Sequence, residues 1–434
     1  MAGRILGLAW PVVAEMLCLV TGGILTTAMV GRFGAVEVAS VGLATLIQVT
    51  FAMVTAAAGT GAGALVSRAY GAGRIEDARN IAGQALVMGI TGSIIAALFC
   101  FTVGRMLIAI ASPDTAVVEM SSSFLSIMAF FLPFMAMINV CLASIRATGK
   151  TRVAMCVAII GQVISLSVTY TCLFVFKIGV HGAIFGMSAS QVVAAMVSFM
   201  AARHDLIFGL RFKNIFPLQK DIIRNVLKIS LPAGFEQLAI QSGRIAFSLF
   251  MATTGAIQFA GHNVALQIES ISFMPGMAFG IAAMTLVGQN LGKGLPHRAK
   301  EYAYITWAIC AMLMGSIGIG FYVFAENLTS FFIQDPAVLS WGTACVRVAA
   351  IEQVFLATGM VLPGVLRGSG DTVSAMYVAI LGSWVYRLPL IFFIKHFGYL
   401  TVEIGWFCAC SDIAIRALLF IYIVRKKNWQ DIKI

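Results

Sequence analysis

The sequence predicts an all-α membrane protein with twelve transmembrane helices in two six-helix bundles that repeat one pattern. Hydrophobic residues make up 60% of the chain and charged residues 11%, whereas soluble domains carry about 25% charged residues. Apolar stretches of about twenty residues, long enough to cross a bilayer, recur along all 434 residues. The second half also repeats the first at a constant offset of 221 positions.

Each half supplies six of the predicted spans, which are read from the apolar stretches. The first-half spans are 5–30, 41–67, 80–104, 117–141, 153–176 and 180–202. The second-half spans are 226–251, 260–288, 302–325, 337–363, 373–395 and 400–424. A hydrophilic stretch between the halves is predicted to be a cytoplasmic linker, which divides the chain into 1–203, 204–225 and 226–434.

The offset of 221 places Pro11 on Pro232 and Glu15 on Glu236 without a gap. Nine of the seventeen positions in 145–161 are identical to their partners. Six spans per half is an even number, so both halves enter the membrane from the same side, and the repeat is predicted to be parallel. Transporters use such repeats because substrate sites form between them. An enzyme has no need of this construction, and we expect no catalytic activity.

The basic residues indicate orientation, although the net charge of +11 could also suggest a nucleic acid partner. The termini, the linker and the loops on their side carry 21 Lys and Arg, and the opposite loops carry 4. The positive-inside rule therefore places both termini in the cytoplasm. We expect a monomer in the plasma (inner) membrane that contacts lipids and no nucleic acid. No phosphate-binding loop or metal-ligand spacing is present, so no cofactor is expected.

Ionisable residues inside spans are costly and are candidates for function. Glu15 and Glu236 each follow a proline by four residues and are predicted to lie at similar depth on repeat-related faces. Gln237, Gln241 and Arg244 follow Glu236 at helical spacing, which favours a coupling role for Glu236 and suggests sodium as the one metal ion that could bind there. The alternative for each acid is a carboxylate that reaches interfacial water.

The eighth span carries a polar face. Glu269 shares one face with His262, and Asn263 and Gln267 form a stripe beside it. A span with this much polarity lines water or another polar surface, so a coupling or substrate role is predicted. The repeat partner of Glu269 is Gln48, so the first half lacks that charge.

Four further charged residues are assigned from their positions in the spans. Glu352 lies in the middle of its span, where a role in coupling and a buried structural ion pair are both open. Asp412 and Arg416 are four residues apart on one helix, the spacing of a self-contained ion pair. Arg387 is predicted to be a packing or anchoring group.

The chain resembles the multidrug and toxic compound extrusion (MATE) transporters through both halves. The resemblance depends on four repeated motifs: Met29-Val-Gly31-Arg-Phe-Gly34, Val66-Ser-Arg-Ala-Tyr-Gly71-Ala-Gly73, Leu286-Val-Gly288-Gln-Asn-Leu-Gly292-Lys-Gly294 and Leu366-Arg-Gly-Ser-Gly370-Asp-Thr372. It implies twelve helices in two bundles and export of organic cations or amphipathic compounds by a rocking exchange of access. It also implies that protons or sodium ions drive the export. The residues themselves do not choose between H⁺ and Na⁺.

The chain departs from the family in the first helix, where many members carry an aspartate. Residues 25–29 here are Leu-Thr-Thr-Ala-Met, so Glu15 is the remaining acid of that helix. In the tenth helix, Glu352 lies one turn before the position at which some members carry an aspartate. The second-half acids are therefore the predicted coupling groups.

The leading hypothesis is a cation-coupled antiporter, and a cavity rich in acids, methionines and aromatic residues would favour it. The alternative is a flippase of a lipid-linked or amphipathic substrate, which exposed unpaired arginines in the cavity would favour. A channel or scaffold is disfavoured, because its buried acids would be costs without a use.

Overall fold

The protein is described here by a computed structural model that covers residues 1–112, 114–204 and 209–432. Nearly all of these residues are helical, and the described part of the chain contains no strand. The predicted all-α fold is therefore confirmed. Every one of the twelve predicted spans falls on one helix, or on consecutive helical segments separated by at most one residue.

The first half contains α1 to α7, and a π-helical turn at Thr171–Val175 extends α6. The helices are α1 Ala2–Val30, α2 Ala35–Gly71, α3 Ile75–Ala111, α4 Thr115–Phe130, α5 Leu132–Ala147, α6 Thr151–Tyr170 and α7 His181–His204. The fourth predicted span is divided into α4 and α5, which meet at an angle of 48°. Pro133 explains the bend, because it lies in the first turn of α5 and has no backbone N–H to continue the helix.

The linker contains α8 and the second half contains α9 to α16, where a seven-residue π-helical segment, Leu381–Arg387, joins α14 to α15. The helices are α8 Phe212–Ile215, α9 Lys220–Ala252, α10 Ala256–Gly292, α11 Pro296–Val323, α12 Ala325–Phe332, α13 Pro336–Ser369, α14 Thr372–Ile380, α15 Leu388–His396 and α16 Val402–Lys426. The helix ends extend past the predicted spans, because polar residues continue several helices beyond the apolar stretch.

Ten described helices are long and apolar enough to cross a membrane, and the bent pair α4 and α5 makes eleven. The remaining predicted span, 226–251, lies within α9, which is one continuous helix of 33 residues. This helix is less apolar than the others, because Lys228, Glu236 and Arg244 interrupt it.

The chain forms two compact units. The N-terminal unit is Pro11–Gly234, and the C-terminal unit consists of Met1–Trp10 and Phe235–Ile434. The divisions fall inside α1 and α9, close to the repeat-related Pro11 and Pro232. The domain boundaries predicted from the sequence, 1–203, 204–225 and 226–434, stay a prediction.

The predicted linker contains α8 and is held against α3 of the N-terminal unit. The buried Gln84 side chain donates to the backbone carbonyls of Asn214 at 3.3 Å, Ile215 at 3.1 Å and Pro217 at 3.2 Å. Lys213 also pairs with Glu76 at 2.8 Å. Residues 205–208 of the linker lie outside the described residues. The segment after them is thus a docked part of the N-terminal unit.

Candidate functional site

Close helix packing in the C-terminal unit brings its buried charges together. A Cβ atom on Gly280 of α10 would lie 2.7 Å from the Met360 carbonyl oxygen, and one on Gly364 of α13 would meet the Gly280 backbone. These glycines let the two helix backbones approach closely, as small residues do in membrane proteins. As a result, Glu269 on α10 and Glu352 on α13 lie beside each other.

The two glutamates share one wall of a cavity of about 150 Å³. Three arginines line the same space: Arg244 on α9, Arg387 in the π-helical segment and Arg416 on α16. We call this space, with its five charged residues, the charged cavity. Its remaining wall is mainly apolar and aromatic and includes Leu266, Phe247, Phe273, Met360 and Trp406.

The carboxyl groups of Glu269 and Glu352 are within hydrogen-bonding reach of each other. Both residues are buried, at 7% and 1% exposure. A hydrogen bond between two carboxyl groups needs a proton on one of them, as in other carboxylate pairs that share a proton. Within the described residues, no other group hydrogen-bonds to Oε2 of Glu352. The pair is therefore arranged to hold a proton or a small cation.

Two of the three arginines are paired with one acid. Asp412 is fully buried and accepts a hydrogen bond from Arg416 at 2.8 Å, with Arg387 at 3.7 Å. This confirms the predicted i, i+4 pair of Asp412 and Arg416. Arg387 also lies 5.3 Å from the ring centre of Phe247, which agrees with a packing role, although its side chain lines the charged cavity as well.

Arg244 differs from the other two arginines. Its side chain is exposed, and its guanidinium lies 5.4 Å from the ring centre of Phe273. Glu269 lines the same cavity and interacts electrostatically with Arg244, but the ion pairs of the described residues do not include Arg244. The sequence shows Arg244 as one member of the Glu236 stripe and gives no sign of this difference.

Glu236 and Glu15 are both engaged in ion pairs. Arg367 donates to the two carboxylate oxygens of Glu236, at 2.6 and 3.3 Å. Arg146 donates to Glu15 at 3.1 Å. Glu236 lines a smaller space of about 50 Å³ that shares Arg416 with the charged cavity. A coupling role and a sodium site at Glu236 stay predictions, and in this conformation the Arg367 guanidinium contacts the carboxylate on both oxygens.

The other polar residues predicted on α9 and α10 lie apart from the charged cavity. His262 is buried, accepts a hydrogen bond from the Trp406 indole at 3.1 Å through Nδ1, and lies 3.2 Å from the Ser248 hydroxyl through Nε2. Asn263 and Gln267 are exposed, and Asn263 donates to the backbone of its own helix. Gln241 is half-buried. Of this group, His262 is connected to the cavity through one neighbour, because its hydrogen-bond partner Trp406 forms part of the cavity wall.

The N-terminal unit has a cavity of a different character. It measures about 340 Å³ and is lined by neutral polar groups, including Thr26, Gln162 and Ser165, together with apolar residues. None of the described residues that line it is charged. Gln48, the repeat partner of Glu269, is buried and donates to the Met128 carbonyl at 3.5 Å. The charge asymmetry predicted from the sequence is thus present in the two cavities.

The sequence profile of the MatE family matches residues 11–171 and 232–393. The two matched regions begin at Pro11 and Pro232, the same offset that the internal repeat shows. The chain belongs to the MatE family. The resemblance inferred from the sequence motifs is thereby confirmed, and this MatE protein is a multi-pass membrane transporter.

Curated relatives of this MatE chain extend over nearly its whole length. It is 26% identical to the probable multidrug resistance protein NorM of Thermotoga maritima, over 98% of this chain and 93% of that protein. It is 22% identical to the multidrug resistance protein MdtK of Yersinia pestis, over 98% and 95% of the two chains.

Solved structures of MATE proteins share the fold. An outward-facing multidrug resistance MATE transporter superposes with a TM-score of 0.91 and 17% identity, covering 97% of this chain and 94% of that one. A transporter of the wider MOP superfamily from Pyrococcus furiosus, described as having a binding pocket of reversed polarity, superposes with a TM-score of 0.90 and 17% identity over the same shares.

Proposed function

We propose that this MatE transporter exports amphipathic organic compounds in exchange for protons and that Glu269 and Glu352 carry the exchanged proton. The contact between these two carboxyl groups is the observation that carries the proposal. When the pair is protonated its charge is reduced, and when the proton leaves, the negative charge favours a cationic group in the cavity. Proton and cargo then oppose each other's binding, which is the thermodynamic requirement for antiport.

The surroundings of the pair favour a proton over sodium. Sodium needs several oxygen ligands, whereas the charged groups that share this cavity are Arg244, Arg387 and Arg416. Positive neighbours repel a bound metal ion, but a proton shared by two carboxyl groups needs no further ligand. Within the described residues, no cluster of three or more His, Cys, Asp or Glu could hold a metal ion.

The proposal also covers the membrane location of the transporter and the motion of its repeats. The transporter lies in the plasma (inner) membrane with both termini in the cytoplasm, and access alternates as the two repeats rock. The excess of Lys and Arg on one side supports the orientation. The flippase hypothesis is disfavoured, since the curated relatives are multidrug resistance proteins.

The test is transport of a fluorescent cationic dye by purified protein in liposomes. A proton gradient and a sodium gradient are imposed separately, and wild-type protein should respond to the proton gradient. In E269Q and in E352Q an amide N–H takes the place of the proton shared by two carboxyl groups, so the hydrogen bond remains without that proton. Each is expected to lower the rate of proton-driven transport at least about tenfold. Coupling free energies between two sites typically correspond to changes of about 5- to 150-fold.

E326Q is the matched control, because Glu326 is an exposed acid of the same unit outside the cavity. It should transport at the wild-type rate. Transport by E269Q and E352Q at the wild-type rate would overturn the role of the pair. A response to sodium alone would overturn the choice of ion.

A further inference from the structure

The charged cavity has one cationic group without an acidic partner. Asp412 is the acid that pairs with both Arg387 and Arg416. Glu269 and Glu352 lie within hydrogen-bonding reach of each other. Arg244 lines the same cavity and lies 5.4 Å from the ring centre of Phe273, and the ion pairs of the described residues do not include it. The cavity therefore offers an anion one unpaired guanidinium.

The position of Arg244 suits recognition of an anion. A guanidinium that stacks on an aromatic face keeps its N–H donors free in its own plane, where they can donate two parallel hydrogen bonds to a carboxylate or phosphate. An arginine inside a membrane span is costly unless it faces a cavity or a partner. Arg244 is exposed at the cavity, so a ligand can reach it.

The size and walls of the cavity limit what binds there. Ligand sites for drug-sized molecules occupy about 300–1,000 Å³, whereas the charged cavity measures about 150 Å³. It therefore fits a head group with a small aromatic part. Phe247, Phe273 and Trp406 supply flat apolar surfaces for that part.

We infer that the charged cavity binds an anionic head group, a carboxylate or a phosphate, through Arg244, and that the cargo of this transporter is an amphiphile that carries such a group. This inference rests on the proposed function in taking the charged cavity as the cargo site. A cargo with both signs of charge places its anion at Arg244 and its cationic group near the glutamate pair. The anionic group can belong to a soluble organic acid or to a lipid.

The test compares two ligands that differ in a single charge, dansylglycine and its uncharged amide. Binding to purified protein in an uncharged detergent is followed by dansyl fluorescence and needs no ion gradient. Wild-type protein should bind the acid at least about tenfold more tightly than the amide, which corresponds to about 1.4 kcal/mol from charge-assisted hydrogen bonds. Equal affinity for acid and amide overturns the inference, and this result needs no variant.

R244Q should abolish the preference for the acid, and R244K should keep part of it, because an ammonium retains the charge but not the two-pronged geometry. R347Q is the control, since Arg347 is another exposed arginine in a span of the same unit but does not line the cavity. An R244Q protein that folds normally and still prefers the acid overturns the inference.

Competition with lipids identifies the source of the anion. Micelles that contain phosphatidylglycerol displace dansylglycine from wild-type protein if a lipid head group is the natural occupant, and phosphatidylcholine does not. If neither lipid displaces it, the occupant is a soluble acid. Because this assay measures binding, it can succeed when E269Q and E352Q remain fully coupled, so failure of the proposed function is distinguishable from failure of this inference.

Discussion

Two ion pairs occupy repeat-related positions. Glu15 pairs with Arg146 at 3.1 Å, and Glu236 pairs with Arg367 at 2.6 Å. The offset of 221 takes both members of the first pair to both members of the second. The Glu15 pair joins α1 to the last turn of α5, and the Glu236 pair joins α9 to the last turn of α13. Both α1 and α9 contain an internal proline. The shared geometry indicates that these acids hold helices together in both units.

Removal of one member of the Glu236 pair should destabilise the protein. E236Q leaves the Arg367 guanidinium without its counter-charge beside a site that is only 2% exposed, and breaking a buried pair costs about 3–5 kcal/mol. The double variant E236Q/R367Q should lose less stability, because it leaves no unpaired charge. E15Q should lose less than E236Q, since a single hydrogen bond joins Glu15 to Arg146. Thermal unfolding in detergent measures all three.

The same variant decides the sequence-based hypothesis for Glu236. If E236Q melts at the wild-type temperature and loses proton-driven transport, Glu236 is the coupling group and the structural role is wrong. If E236Q melts lower but the surviving protein still couples, the ion pair is structural.

The sequence named every acid of the site, but not the contacts between them. Glu269 and Glu352 are far apart in the chain, and neither residue indicates that α10 packs against α13. The Glu–Glu contact follows from close approach at Gly280 and Gly364, which is a property of tertiary packing. By contrast, the placement of most buried charges in the second half was predictable, because single charged residues stand out in apolar spans.

At the scale of single elements, the π-helical segment Leu381–Arg387 positions one side of the charged cavity. It contributes Ser383 and Arg387 to the lining, and such segments are frequent at functional sites. A Cβ atom on Gly382 would overlap the side chains of Asp412 and Arg416. Glycine at this position is what lets the ion pair of α16 lie against the segment. The sequence predicts only a continuous helix here, because a π-helical segment of seven residues is too short to change the hydrophobic period of its span.

Gly382→Ala should displace the pair of Asp412 and Arg416. The added methyl group overpacks the contact, at a cost of about 1–3 kcal/mol, so the variant should melt at a lower temperature and lose binding of the cationic dye. Gly359→Ala is the control: Gly359 also lines the cavity, but a Cβ atom there has no neighbour within 4 Å. In a helix that change adds about 0.5–1 kcal/mol of stability. Equal melting temperatures for the two variants would show that the close approach at Gly382 is unimportant.

The linker shows a second limit of prediction at this scale. Its hydrophilic composition predicted a surface segment, yet Gln84 donates to three of its backbone carbonyls. Backbone acceptors leave no trace in the sequence, so this docking could not be anticipated. A buried glutamine within an apolar stretch of α3 was the one available signal, because buried amides need hydrogen-bond partners.

At the scale of the whole molecule, the internal repeat was the most reliable guide. It predicted the helix order and the equivalence of Glu15 and Glu236, and the two matched family regions begin at the same offset. The predicted span that the apolar helices do not include is the one in α9, which is too polar to be counted among them. The structure offers a reason why α9 can still cross the membrane, since the buried Glu236 is neutralised by Arg367.

Whether α9 crosses the membrane can be tested by labelling single cysteines with a membrane-impermeant maleimide. Arg74 follows the second predicted span, Lys293 the eighth and Lys395 the eleventh, and all three are exposed. Twelve spans with cytoplasmic termini place 74 and 293 in the cytoplasm and 395 outside, as the positive-inside rule requires.

The background protein for the labelling experiment lacks Cys18, Cys156 and Cys172, the three cysteines that are not buried. In intact cells R74C and K293C should then stay unlabelled and K395C should react, with the reverse in everted vesicles. If α9 does not cross, R74C and K293C lie on opposite sides, and labelling of one without the other in intact cells would refute the twelve-span topology.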